Sequence, residues 1–236
     1  MRLAIIPARG GSKRIPKKNI RDFHGLPMIA YSIQTALESN VFDQVIVSTD
    51  DDQIAETAMR YGATVPFVRP PELSDDFTGT VPVIAHAVEW YTHQAIAVSE
   101  VCCIYATAPF INKDDLIRGL DLIQEKKADY AFSVTSYGFP IQRAIKINNN
   151  GAIEMFYPEH YNARSQDLTE AWHDAGQFYW GTSEAWLQHK PIFSSHSFPV
   201  ILPRTHVQDI DTFEDWNRAE LLYALIKGDI PCLPEK

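Results

Sequence analysis

Short apolar runs alternate with helically periodic segments along most of this chain, and that alternation restricts the fold more than any other feature. Val45-Ile46-Val47-Ser48-Thr49, Val101 to Tyr105 and Tyr130 to Val134 read as buried strands, after an opening run at Leu3 to Ala8; Thr64 to Val68 reads as one more. Between them, Ile29, Ile33, Ala36 and Leu37 recur at helical spacing after Pro27, and Ile54, Ala55 and Ala58 share a face between an Asp51 or Asp52 cap and Gly62. Further helices are predicted from about Pro82 to Tyr91 and around Leu116, Ile117, Leu120 and Ile123. Strands without polar alternation, separated by helices, predict an α/β fold with a mostly parallel sheet and helices on both faces. The 236 residues suit a single domain of this kind.

The pattern changes after Ser136. Ala144 to Ile147 and Ala152 to Phe156 flank Asn148-Asn149-Asn150-Gly151, whose Asn-Gly end is a hairpin signal. With the polar, aperiodic stretch from Pro158 to Asp174, residues 137–175 read as an antiparallel arm inserted into the main domain, of the kind that serves dimerisation. Strands near Gln177 to Trp180 and Pro199 to Leu202 return to the core. Thr212, with Asp215 three residues on, opens a last helix bearing Trp216, Ala219, Leu222, Tyr223 and Ile226.

Charge is distributed unevenly. Of 21 basic residues, six (Arg9, Lys13, Arg14, Lys17, Lys18 and Arg21) fall between positions 9 and 21 with no acid among them, leaving 15 against 30 acidic residues elsewhere. Such a cluster repels itself unless an anion sits there, and Gly10-Gly11 directly after a strand lets successive amides converge on phosphate oxygens. The order of residues is not that of a Walker loop. A net charge of -9 with one local basic patch argues against nucleic acid and anionic membranes and for a small polyphosphate ligand. Cys102, Cys103 and Cys232 form no disulfide or zinc pattern, and the N-terminal run is too short for a signal peptide, so a cytoplasmic protein is expected.

Three acids are candidates for chemistry. Asp209 and Asp211 lie at i and i+2 in Val207-Gln208-Asp209-Ile210-Asp211-Thr212, which puts two carboxylates on one face of an extended segment while Ile210 turns inward. A divalent cation relieves their repulsion, and oxygen ligands favour magnesium. Asp50 ends a strand at the edge where ligands bind in open α/β sheets, with helix capping as its other reading. The loop Arg69-Pro70-Pro71-Glu72-Leu73 to Thr80 has the length and polarity of one that lines a site. The eight histidines show no metal-ligand spacing.

Arg9, Ser12, Lys13, Lys18, Asn19, the Val-Ser-Thr-Asp strand end and the late Asp-Ile-Asp together resemble the sugar-acid cytidylyltransferases, the CMP-sialic acid synthetase group, over nearly the whole length. The resemblance implies a Rossmann-like three-layer α/β/α nucleotidyltransferase fold, similar to glycosyltransferase A, and a homodimer. It implies attack of a nine-carbon 2-keto sugar acid on CTP, and Tyr105-Ala106-Thr107-Ala108-Pro109-Phe110 with Gln177-Phe178-Tyr179-Trp180-Gly181 look like members that activate pseudaminic acid. By the same resemblance, Arg9, Gly10, Gly11, Ser12, Lys13 and Lys18 hold the triphosphate, and Asn19 meets ribose or phosphate. Arg69, Thr78 and Thr80 recognise the cytidine end, and Asp209 and Asp211 hold magnesium. Lys18, Arg9 and the metal neutralise charge in the transition state. Sugar choice falls to Tyr105, Phe178, Tyr179 and the arm, with Arg143 reaching over from a partner. The chain departs from the sialate enzymes at Tyr105, where they have Gln, and at Phe110-Ile111, where they have Leu-Arg; both departures are expected in the sugar-acid pocket.

Overall fold

A computed structural model describes residues 1–228. The alternating segments become β1 (Arg2–Pro7), a two-residue hairpin of β2 (Asp22–Phe23) and β3 (Leu26–Pro27), α1 (Met28–Ser39), β4 (Gln44–Ser48), α2 (Asp52–Arg60) and α3 (Thr80–His93). After these come β5 (Glu100–Ile104), α4 (Lys113–Lys126), β6 (Tyr130–Ser136), an outlying hairpin of β7 (Ile145–Ile147) and β8 (Ile153–Met155), and β9 (Trp172–Thr182). The chain closes with α5 (Ser183–Leu187), β10 (Ser197–Ile201) and α6 (Phe213–Lys227). Six strands form one sheet in the order β10-β6-β9-β5-β1-β4. Every pairing is parallel except those of β9, which runs antiparallel to both neighbours.

Alternation along the strands builds an apolar layer on each face. Ala4 and Ile6 of β1 pack with Ile29 and Ile33 of α1, Leu116 of α4 and Phe178 and Trp180 of β9, while Leu3 and Ile5 turn to Ile84 and Val88 of α3 and Trp186 of α5. Cys102 and Cys103 are both buried and fall in opposite layers; burial pushes both thiols up, which keeps them protonated. Cys232 lies outside the described residues. Side-chain caps sit where the sequence places them: Asp51 accepts from the Ile54 amide, and Thr212 and Asp215 form a reciprocal capping box.

Two expectations need correction. Thr64 to Val68 is not a ladder strand. It touches β4 and its end only at Ile46↔Thr64 and Thr49↔Val68, because Pro66 between them has no amide hydrogen to give. The strand expected near Gln177 begins five residues earlier, at Trp172, so residues 172–174, within the span read as an arm, already pair with β6. Asn148-Asn149-Asn150-Gly151 does turn a hairpin, with Gly151 at φ +79° and β7 antiparallel to β8. Among the described residues no helix is long and apolar enough to cross a membrane.

Candidate active site

The parallel strands β1, β4 and β5 end at one edge of the sheet, and the basic loop leaves β1 there. Two hydrogen bonds hold it: the Gly10 amide donates to Asp50 Oδ1 (2.9 Å), and Asn19 Nδ2 donates to the Arg9 carbonyl (3.0 Å). Asp50 is therefore neither a cap nor a free ligand group, since the cap is Asp51. The glycines differ in need. A Cβ on Gly10 would lie 2.8 Å from Asp51 Oδ2 and 2.9 Å from Asp51 Cβ, whereas one on Gly11 would meet nothing within 4 Å. Ile15, inside the loop, is buried in the same apolar cluster as Ile210, Trp216 and Ala219. That cluster clamps the loop to the Asp-Ile-Asp segment almost two hundred residues away.

The acids missing from the loop come from elsewhere in the chain. Asp76 pairs with Arg9 (2.8 Å) and Lys13; Asp211 pairs with Arg14 (2.9 Å) and Lys18 (3.4 Å). Lys18 also donates to the Ile210 carbonyl, Lys17 donates to Gln53 Oε1 (2.8 Å), and Arg21 stacks over Phe213 and Trp216. Hydrogen bonds from Lys13 and then Arg9 hold Asp76 below the usual carboxylate range.

A cavity of about 260 Å³ opens above β1 and β5, lined by Arg9, Ser12, Arg14, Lys18, Asn19, Arg69, Thr78, Thr80, Tyr105 and Asp211. Seven of the ten residues expected to hold a nucleotide meet here, all but Gly10, Gly11 and Lys13. Lys13 stays outside, extended over Asp76. Arg69 is 4% exposed and fixed by Ser48, whose Oγ accepts from Nε (3.1 Å) and whose carbonyl accepts from Nη2. Burial lowers its pKa to about 10, so it stays charged at neutral pH. Thr78 Oγ1 donates to the Glu72 carbonyl, and Thr80 Oγ1 lies 3.4 Å from the Tyr105 hydroxyl.

Asp209 opens on a different space. A second cavity, of about 690 Å³, is lined by Thr135 and Ser136 at the end of β6 and Gly138 and Phe139 after it, by His173 and Asp174 at the start of β9, and by Arg204, Thr205 and Val207 to Asp209 after β10, with Arg218 of α6. Ile210 is fully buried between the two acids, so the i, i+2 geometry holds and delivers one carboxylate to each cavity. Desolvation, then the charge of Asp211, raises the Asp209 carboxyl above its ordinary value. That is the repulsion a cation would relieve. Two hard oxygen ligands suit magnesium, which takes the rest of its shell from water and phosphate.

The residues expected to choose the sugar separate. Tyr105 lines the smaller cavity, and its ring lies 5.4 Å from that of Tyr179, whose hydroxyl donates to Asp174 in the larger one. Burial raises both phenols. Phe178 does not join them: as the intervening residue of β9 it faces the opposite layer, fully buried against Gly119 of α4. Phe110 and Ile111 are also core residues, in two different clusters and around a separate cavity of about 320 Å³, so those two departures from the sialate enzymes fall outside the site. Arg143 sits on the arm beside Pro140 and Ser165 and lines neither site cavity within one chain. Sequence reasoning missed Asp76, His173, Asp174 and Arg204. Asp76 belongs to a loop flagged only for polarity; the others carry no local motif and are assembled by strand order.

Residues 3–227 match the cytidylyltransferase family. The chain belongs to that family. It is 50% identical over 221 residues, 94% of this chain and 95% of the other, to pseudaminic acid cytidylyltransferase of Campylobacter jejuni. It is 31% identical over 227 residues, 94% and 96% of the two chains, to CMP-N,N'-diacetyllegionaminic acid synthase of Legionella pneumophila. Its fold superposes on CMP:2-keto-3-deoxy-manno-octonic acid synthetase complexed with CTP with a TM-score of 0.68, covering 97% and 99% of the chains at 17% identity.

Proposed function

We propose that this cytidylyltransferase transfers CMP from CTP to a nine-carbon 2-keto sugar acid, pseudaminic acid, releasing pyrophosphate. The observation that carries the reading is the division of the Asp-Ile-Asp pair, one carboxylate in each of two adjoining cavities, as a reaction joining a nucleotide to an acceptor requires. Half of the aligned residues are shared with a pseudaminic acid cytidylyltransferase, which supports that acceptor over other sugar acids.

CTP occupies the smaller cavity. Arg69 and the Thr78 to Thr80 segment meet the cytidine end, Ser12 and Asn19 lie along its wall, and Arg9, Lys13 and Lys18 exchange Asp76 and Asp211 for phosphate oxygens. The Gly10 and Gly11 backbone carries this cradle. The anomeric hydroxyl oxygen of the acceptor bonds to the α-phosphorus, the bridge to the β-phosphate breaks, pyrophosphate leaves, and the hydroxyl proton passes to solvent. Magnesium held by Asp209 and Asp211 would neutralise charge on the α-phosphate and leaving group. Lys18, anchored by the Ile210 carbonyl beside Asp211, is preorganised for the same charge without reorienting. No protein nucleophile is needed; positioning and charge neutralisation suffice.

The arm presents Phe139 (86% exposed), Ile147 (75%) and Tyr161 (72%) to solvent, together with Ile153 and Phe156. A surface this apolar fits a second copy of the chain, with Arg143 reaching the neighbouring acceptor cavity.

The test is pyrophosphate release with CTP, magnesium and a panel of pseudaminic, legionaminic, sialic and octulosonic acids. Pseudaminic acid should give the highest kcat/KM, and Lys18→Ala and Asp211→Ala should each lose about a hundredfold in turnover while melting as folded proteins. Preference for another acid refutes the acceptor, and unaltered release in both variants refutes the site.

A further inference from the structure

The larger cavity contains a charged group with no assigned work. Asp174 accepts both the Tyr179 hydroxyl and the Gly176 amide, Asp209 belongs to the metal pair, and Arg218 bears on Asp215 of its own helix. His173 packs edge-on against Tyr137 (ring centroids 4.7 Å apart), with Nδ1 against the Asp174 carbonyl. Arg204 and Arg218 have neither an ion pair nor a side-chain hydrogen bond among the described residues, and of the two Arg204 stands on the same segment as Asp209. A Cβ on Gly138 would sit 2.9 Å from Arg204 Nη1, so the tip of the guanidinium rests against the backbone at Gly138. It stands just beyond the end of β10, at the same carboxyl edge as Asp209, where acceptors enter open α/β sheets.

The geometry points to Arg204 as the group that binds the carboxylate of the sugar acid and thereby selects 2-keto acids over neutral sugars. This rests on the transfer reaction proposed above. A planar guanidinium forms two parallel hydrogen bonds to a carboxylate, which fixes orientation as well as charge. In a 2-keto sugar acid the carboxylate is bonded to the carbon that bears the attacking hydroxyl. Gripping the one therefore aims the other at the α-phosphorus, in the cavity that Asp209 shares. Gly138 is then a positioning residue, because an added methyl would push the guanidinium tip off its resting place.

The experiment measures KM for the sugar acid and for CTP separately, for wild type, Arg204→Gln, Arg204→Lys and Gly138→Ala, with pseudaminic acid and its methyl ester as substrates. For Arg204→Gln the sugar-acid KM should rise by about ten- to a hundredfold with the CTP KM unchanged, and Arg204→Lys should recover part of the loss. Gly138→Ala should shift the same constant in the same direction. Wild type should discriminate strongly against the ester, and Arg204→Gln should treat acid and ester nearly alike. An unchanged sugar-acid KM, or unchanged discrimination against the ester, in an active Arg204→Gln enzyme overturns the assignment. Wild-type protein that releases no pyrophosphate with any sugar acid overturns the reaction itself instead, so the two failures are distinct.

Discussion

Gly10 and Gly11 stand side by side in the phosphate cradle, yet the structure assigns them unequal burdens. A methyl group at Gly10 would come within 2.9 Å of Asp51 Cβ and 3.3 Å of Cγ, where ordinary contact begins at about 3.4 Å, so the loop or the head of α2 must yield by about half an ångström. If α2 yields, Asp51 loses its hydrogen bond from Ile54, about 1 kcal/mol, or roughly 2–4 °C of Tm for a chain of this size. If the loop yields, Arg9 and the converging amides move off the phosphates, and a displacement approaching 1 Å costs up to about a hundredfold in rate. Gly10→Ala should therefore lose tens to a hundredfold in kcat/KM for CTP, measured by pyrophosphate release, with a small drop in Tm. Gly11→Ala should stay within about twofold, because its new methyl meets nothing. The three nearest atoms to the Gly10 methyl all belong to the Asp51 side chain, so Gly10→Ala combined with Asp51→Gly should regain much of the activity. Equal damage from the two alanines, or no suppression in the double variant, would refute the argument.

Asp209→Asn should raise the Tm of the metal-free protein while abolishing turnover. A carboxyl whose pKa is raised on folding contributes stability below its unfolded pKa and loses it as pH rises through the folded one, so the gain from Asn should appear near neutrality and vanish in acid. Added magnesium should stabilise wild type more than this variant, read by thermal melts at pH 4 and pH 7. Gly119→Ala places a Cβ 2.5 Å from Trp180 Cδ1, and Trp180 is pinned by its bond to the Leu116 carbonyl and by stacking on Phe42. That overpacking should cost about 1–3 kcal/mol, or roughly 2–12 °C in Tm. Phe178→Leu should lower Tm with the sugar-acid KM unchanged; a selective change in that KM would return Phe178 to the site.

The loop and the acid pair of the proposed nucleotide site were legible in the sequence because their signals are local. A strand running into a basic glycine pair spans a dozen residues, and Asp209-Ile210-Asp211 fixes its own geometry through the period of two, whatever surrounds it. Phe178 shows where such reasoning fails. Its motif was sound as a resemblance, but alternate residues of β9 face opposite layers, and only the register with β5 and β6 reveals that Tyr179 faces the site and Phe178 the core. Thr64 to Val68 had strand composition, and one proline without a donor kept it from extending the sheet. Asp76 and Arg204 acquire meaning only from partners more than sixty residues away, Arg9 and Lys13 for the first and Gly138 for the second.

The reversed strand explains why the acceptor cavity lies where it does. Had β9 run parallel to its neighbours, its first residues would lie at the amino edge of the sheet, remote from the nucleotide. Because it runs antiparallel, Trp172 pairs with Ser136 and Asp174 with Val134, so the return of the arm, His173 and Asp174 all arrive at the carboxyl edge beside the end of β10. The same reversal places Tyr179 one turn of the pleat further along, where it links Asp174 in one cavity to Tyr105 in the other. One strand direction thus brings the acceptor pocket, the arm and the aromatic bridge to the edge that the phosphate loop already occupies.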